Sequence, residues 1–126
     1  MILGIGADIV HISRFNSWLG NRALMDRFFQ ACEVEYALSQ GPRGPASLAG
    51  RFAAKEAFGK ALGTGMQGLI LKDIWIESES TGNPVLQVRG TALNALEARG
   101  GKKIHVSLSH DGNSAVAFVI LEGGTQ

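Results

Sequence analysis

The chain has 126 residues and a formal net charge of +1. That length suits a single domain over 1–126 and is short for two; the near-neutral balance gives no global attraction to nucleic acid, so any basic docking surface must be local. One cysteine, Cys32, excludes an intrachain disulfide, and no run approaches the roughly 18 apolar residues of a membrane span.

Met1 leads directly into Ile2-Leu3-Gly4-Ile5-Gly6, without a basic segment or a small-residue cleavage site. This predicts no signal peptide, no membrane anchor and a cytoplasmic location. Residues 2–10 alternate with period two and predict a strand. Residues 12–40 predict short amphipathic helices, with Cys32 read as a small buried hydrophobe. Gly41-Pro42-Arg43-Gly44-Pro45 breaks the chain. A long helix follows over about 46–62, with Ser47 as a candidate cap and Gly63 as its stop. Strands over 70–79 and 85–89 flank Thr81-Gly82-Asn83-Pro84, a helix over 90–99 ends at Gly100-Gly101, and strands over 103–110 and 115–121 flank Asp111-Gly112-Asn113-Ser114. Strands and helices mix without regular alternation, which predicts an α+β fold. Ala115–Leu121 is apolar on both faces and belongs in the middle of a structure or in a subunit interface, so an oligomer is expected.

Three segments carry groups suited to chemistry. On the first strand Gly4, Gly6 and Asp8 share one face. Such a stripped face beside a carboxylate suits close approach by a ligand or by another backbone; alternatively Asp8 ends the strand and caps the next turn. The long helix is apolar nearly all round, as a buried helix is, yet it carries Arg51 and Lys55 on one edge and Glu56 and Lys60 on another. Glu56 and Lys60 are either an exposed i,i+4 pair or, given their apolar neighbours and the Gly63-Thr64-Gly65 loop just beyond, part of a site. On the strand over 103–110, His105, Ser107 and Ser109 line one face, either to bind phosphate or ribose oxygens or simply to meet solvent. No nucleophile elbow surrounds the serines, and no zinc-ligand spacing links His11, His105 and His110. Two carboxylates and a lysine without soft ligands suit Mg²⁺ and phosphate transfer.

The segments Gly4-Ile5-Gly6-Ala7-Asp8-Ile9-Val10, Gly50-Arg51-Phe52-Ala53-Ala54-Lys55-Glu56-Ala57, Lys60-Ala61-Leu62-Gly63-Thr64-Gly65 and His105-Val106-Ser107-Leu108-Ser109-His110 occur in this order. Together with Gly82-Asn83-Pro84 they make the chain resemble the bacterial holo-acyl-carrier-protein synthases from end to end. The resemblance implies the phosphopantetheinyl transferase fold, a long buried helix on an antiparallel sheet, in a homotrimer with coenzyme A in clefts between neighbours. It implies that Asp8 and Glu56 hold Mg²⁺ with the coenzyme's pyrophosphate and that Lys60 neutralises the departing phosphate. The reaction implied is transfer of phosphopantetheine to a serine of apo-acyl carrier protein, in support of fatty acid biosynthesis. Coenzyme A is then expected at Arg51, Lys60, Gly63, Thr64, Gly65, Asn83, Pro84, His105, Ser107 and Ser109. The carrier protein is expected at Arg14, Trp18, Arg22 and Arg27, the first three forming one stripe if a helix runs through Gly20. A non-catalytic binding module could keep the apolar frame and lose Glu56 or Lys60; this chain has both.

Overall fold

The computed structural model describes residues 1–124. Its strands are β1 (Ile2–His11), β2 (Ile74–Ser78), β3 (Pro84–Val88), β4 (Gly101–Asp111) and β5 (Ser114–Gly123). Its α-helices are α1 (Arg22–Phe28), α2 (Ala31–Ser39), α3 (Gly44–Leu62) and α4 (Gly90–Ala98). β1, β5 and β4 form an antiparallel sheet with β5 in the centre, where a strand apolar on both faces belongs. β2 and β3 form a separate antiparallel hairpin. The long helix α3 packs across the inner face of the three-stranded sheet and is buried along most of its length. Among the described residues no helix is long and apolar enough to cross a membrane.

The register sorts the sheet into two faces. Gly4, Leu121 and Ile104 form one inner row, Gly6, Val119 and Val106 the next, and Asp8, Ala117 and Leu108 a third. On the outer face the rows are Ile5, Ile120 and His105; Ala7, Phe118 and Ser107; and Ile9, Val116 and Ser109. The inner glycines answer the question the sequence left open between ligand and backbone. A Cβ on Gly4 would fall 2.0 Å from the Ala61 carbonyl oxygen, and one on Gly6 2.0 Å from that of Ala57. The group that comes close is the backbone of α3, not a ligand.

The region 12–40 departs from a continuous helical stripe. Two short 3-10 turns, Ile12–Phe15 and Trp18–Gly20, precede α1, whose N-cap Asn21 accepts a hydrogen bond from the Leu24 amide at 3.1 Å. Arg14, Trp18 and Arg22 therefore do not share a helix. The Trp18 ring stacks among Phe15, Phe28 and Phe29, at centroid distances of 4.8, 5.6 and 6.1 Å. It packs against an apolar cluster of Phe15, Met25, Phe29 and Phe52 rather than standing as an exposed anchor. Cys32 is exposed, not buried, because the core side of α2 is taken by Glu33, Val34 and Ala37. Ser47 is not a cap: α3 already begins at Gly44 with Pro45 in its first turn, and the Ser47 hydroxyl meets Arg51.

The strand expected over 70–79 starts late, at Ile74, because residues 71–73 turn to send Asp73 inward. One Asp73 oxygen accepts from the Thr91 amide and hydroxyl at 2.9 and 2.7 Å, and the other from Arg89 at 3.3 Å. Asp73 thus caps α4 from outside its own segment, since Arg89 at the N-cap offers no side-chain acceptor. Burial alone would raise the Asp73 carboxyl, but the bonds from Thr91 and Arg89 outweigh it and hold the group below the usual carboxylate range. Its folded-state value thus lies below the unfolded value of about 3.9. The stabilisation is therefore present above that value and is lost as pH falls through the folded-state value. Asp73→Asn is expected to cost about 1 kcal/mol at neutral pH and to flatten the acid limb of a melting-temperature profile. An unchanged acid limb would show that Asp73 does not link this cap to pH.

A buried ion pair joins α2 to α3 and β2. The Lys55 ammonium, fully buried, donates to Glu33 Oε1 at 2.9 Å, to the Leu71 carbonyl at 3.2 Å and to the Ile74 carbonyl. Glu33 accepts in addition from the Gln30 and Ile76 amides, at 3.0 and 3.1 Å. Burial pulls the Lys55 ammonium below its ordinary range, and Glu33 opposes that shift.

Candidate active site

The close contact of β1 with α3 sets Asp8 against the edge of the helix that carries Glu56 and Lys60. Lys60 Nζ donates to Asp8 Oδ1 at 2.9 Å. Asp8 is largely enclosed, its side chain 16% exposed, whereas that of Lys60 is 53% exposed. Lys60 therefore serves the neighbouring strand rather than forming the helical pair with Glu56 that i,i+4 spacing allows. Glu56 is half-buried. Burial raises its carboxyl above the ordinary range, the Asp8 charge adds to the rise, and Lys60 and Arg14 oppose it. The Asp8 charge thus bears on Glu56, and a cation held between the two carboxylates would relieve that repulsion.

Gly63 ends α3 in the left-handed conformation, with φ 87°, where glycine is strain-free. The Gly65 amide then returns to the Gly59 carbonyl at 3.0 Å, so the Gly63-Thr64-Gly65 loop folds back beside the last turn, next to Lys60. The Thr64 hydroxyl donates to the Gly65 carbonyl at 3.2 Å. Arg99, just beyond α4, steadies this end of the site. It donates to the Leu62 carbonyl at the end of α3 and to the Leu3 carbonyl of β1, the latter at 2.9 Å.

The remaining candidates lie elsewhere. Arg51 is 7% exposed and donates to the Ser47 hydroxyl at 3.1 Å, with its guanidinium 4.5 Å from the Tyr36 ring centroid. Among the described residues its buried Nε has no hydrogen-bond partner. It borders a cleft of about 250 Å³ with Tyr36, Arg43, Ser109 and His110. Asn83, Pro84 and His105 border a second cleft, of about 300 Å³, between β3 and β4. Ser107 stands on the outer sheet face beside Phe118. The proposed coenzyme residues thus fall into three places on one chain, and the His105 face is turned away from Asp8.

The arginines also separate. Arg14 lies over the Phe52 ring at 4.7 Å and acts on Glu56 through its charge. Arg22 pairs with Asp26 at 3.0 Å, and Arg27 covers Phe28 at 5.4 Å. Of the four docking candidates, Arg14 is the one whose charge reaches the carboxylate pair. Sequence reading missed Arg99 and the Glu33–Lys55 pair, and nothing in the local pattern marks either.

Mg²⁺ suits the donor set. Asp8 and Glu56 supply hard oxygens, and an ion of this kind takes one or two protein carboxylates and completes its shell with water and phosphate. Among the described residues no group of three or more His, Cys, Asp or Glu could hold a metal, so substrate oxygens would have to complete the shell.

The family model of the 4′-phosphopantetheinyl transferase superfamily matches residues 4–119. A holo-(acyl-carrier-protein) synthase of Treponema denticola is 54% identical over 123 residues, covering 98% of this chain and 100% of the relative. The crystal structure of the Neisseria meningitidis holo-(acyl-carrier-protein) synthase superposes with a TM-score of 0.84 at 34% identity, covering 97% of this chain and 99% of that one. That of the Bacillus anthracis enzyme, in complex with CoA (3′,5′-ADP), gives 0.80 at 35% identity, covering 98% and 99%.

Proposed function

The chain belongs to the 4′-phosphopantetheinyl transferase superfamily, and we propose that it is a holo-acyl-carrier-protein synthase. It transfers the 4′-phosphopantetheine of coenzyme A to a serine of apo-acyl carrier protein and releases adenosine 3′,5′-bisphosphate, in support of fatty acid biosynthesis. The observation that carries this reading is the Asp8–Lys60 contact with Glu56 beside it, at the mouth of the Gly63–Gly65 loop.

The serine oxygen bonds to the phosphorus nearer the pantetheine as the bond from that phosphorus to the bisphosphate breaks, and the serine's proton is lost to water. Such transfer needs positioning and charge neutralisation more than covalent help, and the nucleophile belongs to the partner protein, so no activated serine is required here. Asp8 and Glu56 are the proposed ligands of Mg²⁺, which when bound supplies charge neutralisation on the phosphoryl oxygens. Lys60 holds Asp8 in place and offers its ammonium to the departing phosphate; the Gly63-Thr64-Gly65 loop offers backbone beside it. Arg51, Asn83, Pro84, His105, Ser107 and Ser109 are proposed for the rest of coenzyme A.

The homotrimer that the resemblance implies, with sites between subunits, is proposed here, and the separation of these residues on one chain supports shared sites. The outer sheet face supports it: Ile5 and Ile9 are each 66% exposed and Phe118 47%, an apolar stripe suited to burial against other copies. The cytoplasm is the proposed compartment, in keeping with the single exposed cysteine. Arg14, beside the carboxylates, is the proposed contact for an acidic carrier protein.

The decisive test is the intact mass of apo-acyl carrier protein after incubation with this protein, Mg²⁺ and coenzyme A. A gain of one phosphopantetheine is expected; an unchanged mass would overturn the assignment. Lys60→Met tests the leaving-group role, because it keeps the aliphatic stem and the helix propensity. It is expected to lower kcat by about 100-fold, with little loss of stability, since the Lys60 end of the pair is in solvent and such a pair contributes about 1 kcal/mol or less. If kcat and KM both stay within about twofold of the parent values, Lys60 is only a surface partner of Asp8.

A further inference from the structure

We infer that Glu122 is a positioning residue for His105, fixing the imidazole so that its second nitrogen faces the nucleotide end of coenzyme A. The inference rests on the proposed place of His105 at that end of the substrate. His105 pairs across the sheet with Ile120, and Glu122 lies two residues further along β5, on the same outer face and diagonally adjacent. His105 Nε2 and Glu122 Oε1 are 2.8 Å apart.

An ionised carboxylate only accepts hydrogen bonds, so Nε2 must carry the proton in this contact. The contact therefore selects both the tautomer and the ring orientation and leaves Nδ1 for a ligand. The same arrangement orients histidines that hold metals, where the outer carboxylate sets which nitrogen faces inward. The Glu122 carboxyl itself is held below its ordinary range by the bond from His105, with the amino group of Met1 and Lys103 adding to the effect. The carboxylate thus stays ionised, an acceptor, across the working pH range.

On a single chain the ring is 45% exposed, before any neighbouring copy covers this face. Left alone, an exposed imidazole rotates freely and loses rotamer entropy on meeting a ligand. Anchored through Nε2, the ring is presented at the rim of the cleft it shares with Asn83 and Pro84. Glu122 touches no substrate in this account; it acts through His105.

The test uses adenosine 3′,5′-bisphosphate, which contains only the nucleotide end, as a calorimetric probe, alongside steady-state kinetics with coenzyme A and apo-acyl carrier protein. Glu122→Ala is expected to raise both the Kd of the bisphosphate and the KM for coenzyme A about tenfold while leaving kcat near the parent value. Glu122→Gln, which still accepts from Nε2, is expected to recover most of that loss. In a His105→Ala background, Glu122→Ala is expected to have no further effect. If His105→Ala leaves the bisphosphate Kd unchanged, the nucleotide role of His105 fails and takes the inference with it. If His105→Ala weakens binding but Glu122→Ala does not, or if the two losses add, the inference fails alone.

Discussion

Replacing Asp8 with alanine is expected to lower Mg²⁺-dependent turnover by about 10³-fold or more while the chain stays folded. Asp8 sits on the glycine-lined face of β1, and among the described residues its one hydrogen-bonded side-chain partner is Lys60. Loss of that contact costs little stability, because the Lys60 end of the pair is in solvent. What the substitution removes is one of two carboxylates available to a cation, and with it the anchor that keeps Lys60 over the site. Melting followed by circular dichroism should therefore stay close to the parent curve while activity collapses. Asp8→Asn keeps the size and one oxygen donor, and is expected to retain a fraction of activity that rises with added Mg²⁺. Parent-like turnover by Asp8→Ala at limiting Mg²⁺ would remove Asp8 from the metal site.

Lys55→Met is expected to lower stability by about 3–5 kcal/mol. The methionine fills most of the lysine's volume, so packing is largely kept. Glu33, however, keeps its negative charge in a fully enclosed place, with, among the described residues, only the Gln30 and Ile76 amides to bond it, and the Leu71 and Ile74 carbonyls lose the Lys55 donor. Adding Glu33→Gln to Lys55→Met removes the stranded charge and should recover part of the loss, so the double variant is expected to be the more stable of the two in urea denaturation. A Lys55→Met variant within about 1 kcal/mol of the parent would show that Glu33 reaches water once its partner is gone.

The sheet and its helix were legible because their periods are clean. β1 alternates, Ala115–Leu121 is apolar on both faces as a central strand requires, and α3 is apolar around nearly its whole circumference, as its burial demands. Asp8, Glu56 and Lys60 stood out because charged groups on otherwise apolar or stripped faces need a reason to be there. What sequence could not supply was distance. Gly4 and Gly6 announced a close approach but not whose, and the answer was the α3 backbone. Lys55 could not be matched to Glu33, 22 residues earlier, because only the packing of α2 on α3 brings them together. Between residues 12 and 40 the apolar residues serve a local aromatic cluster around Trp18 rather than one helical stripe, so no single period describes them.

The stacking of β1 on α3 sets how the enzyme tolerates change. Where two layers are spaced by side chains, a smaller residue lets them settle together and a larger one props them apart. Here the spacer beneath Gly4 and Gly6 is main chain on main chain, which has no rotamers to shift and no volume to trim. The separation of Asp8 from Glu56 and Lys60 is thereby set by backbone contact rather than by the side chains of the apolar core, Phe58, Ile74 and Leu96 among them. Erosion of that core should lower the melting temperature long before it moves the carboxylates. Drift in the hydrophobic interior and retention of the chemistry can then proceed almost independently, with the two glycines as fixed points.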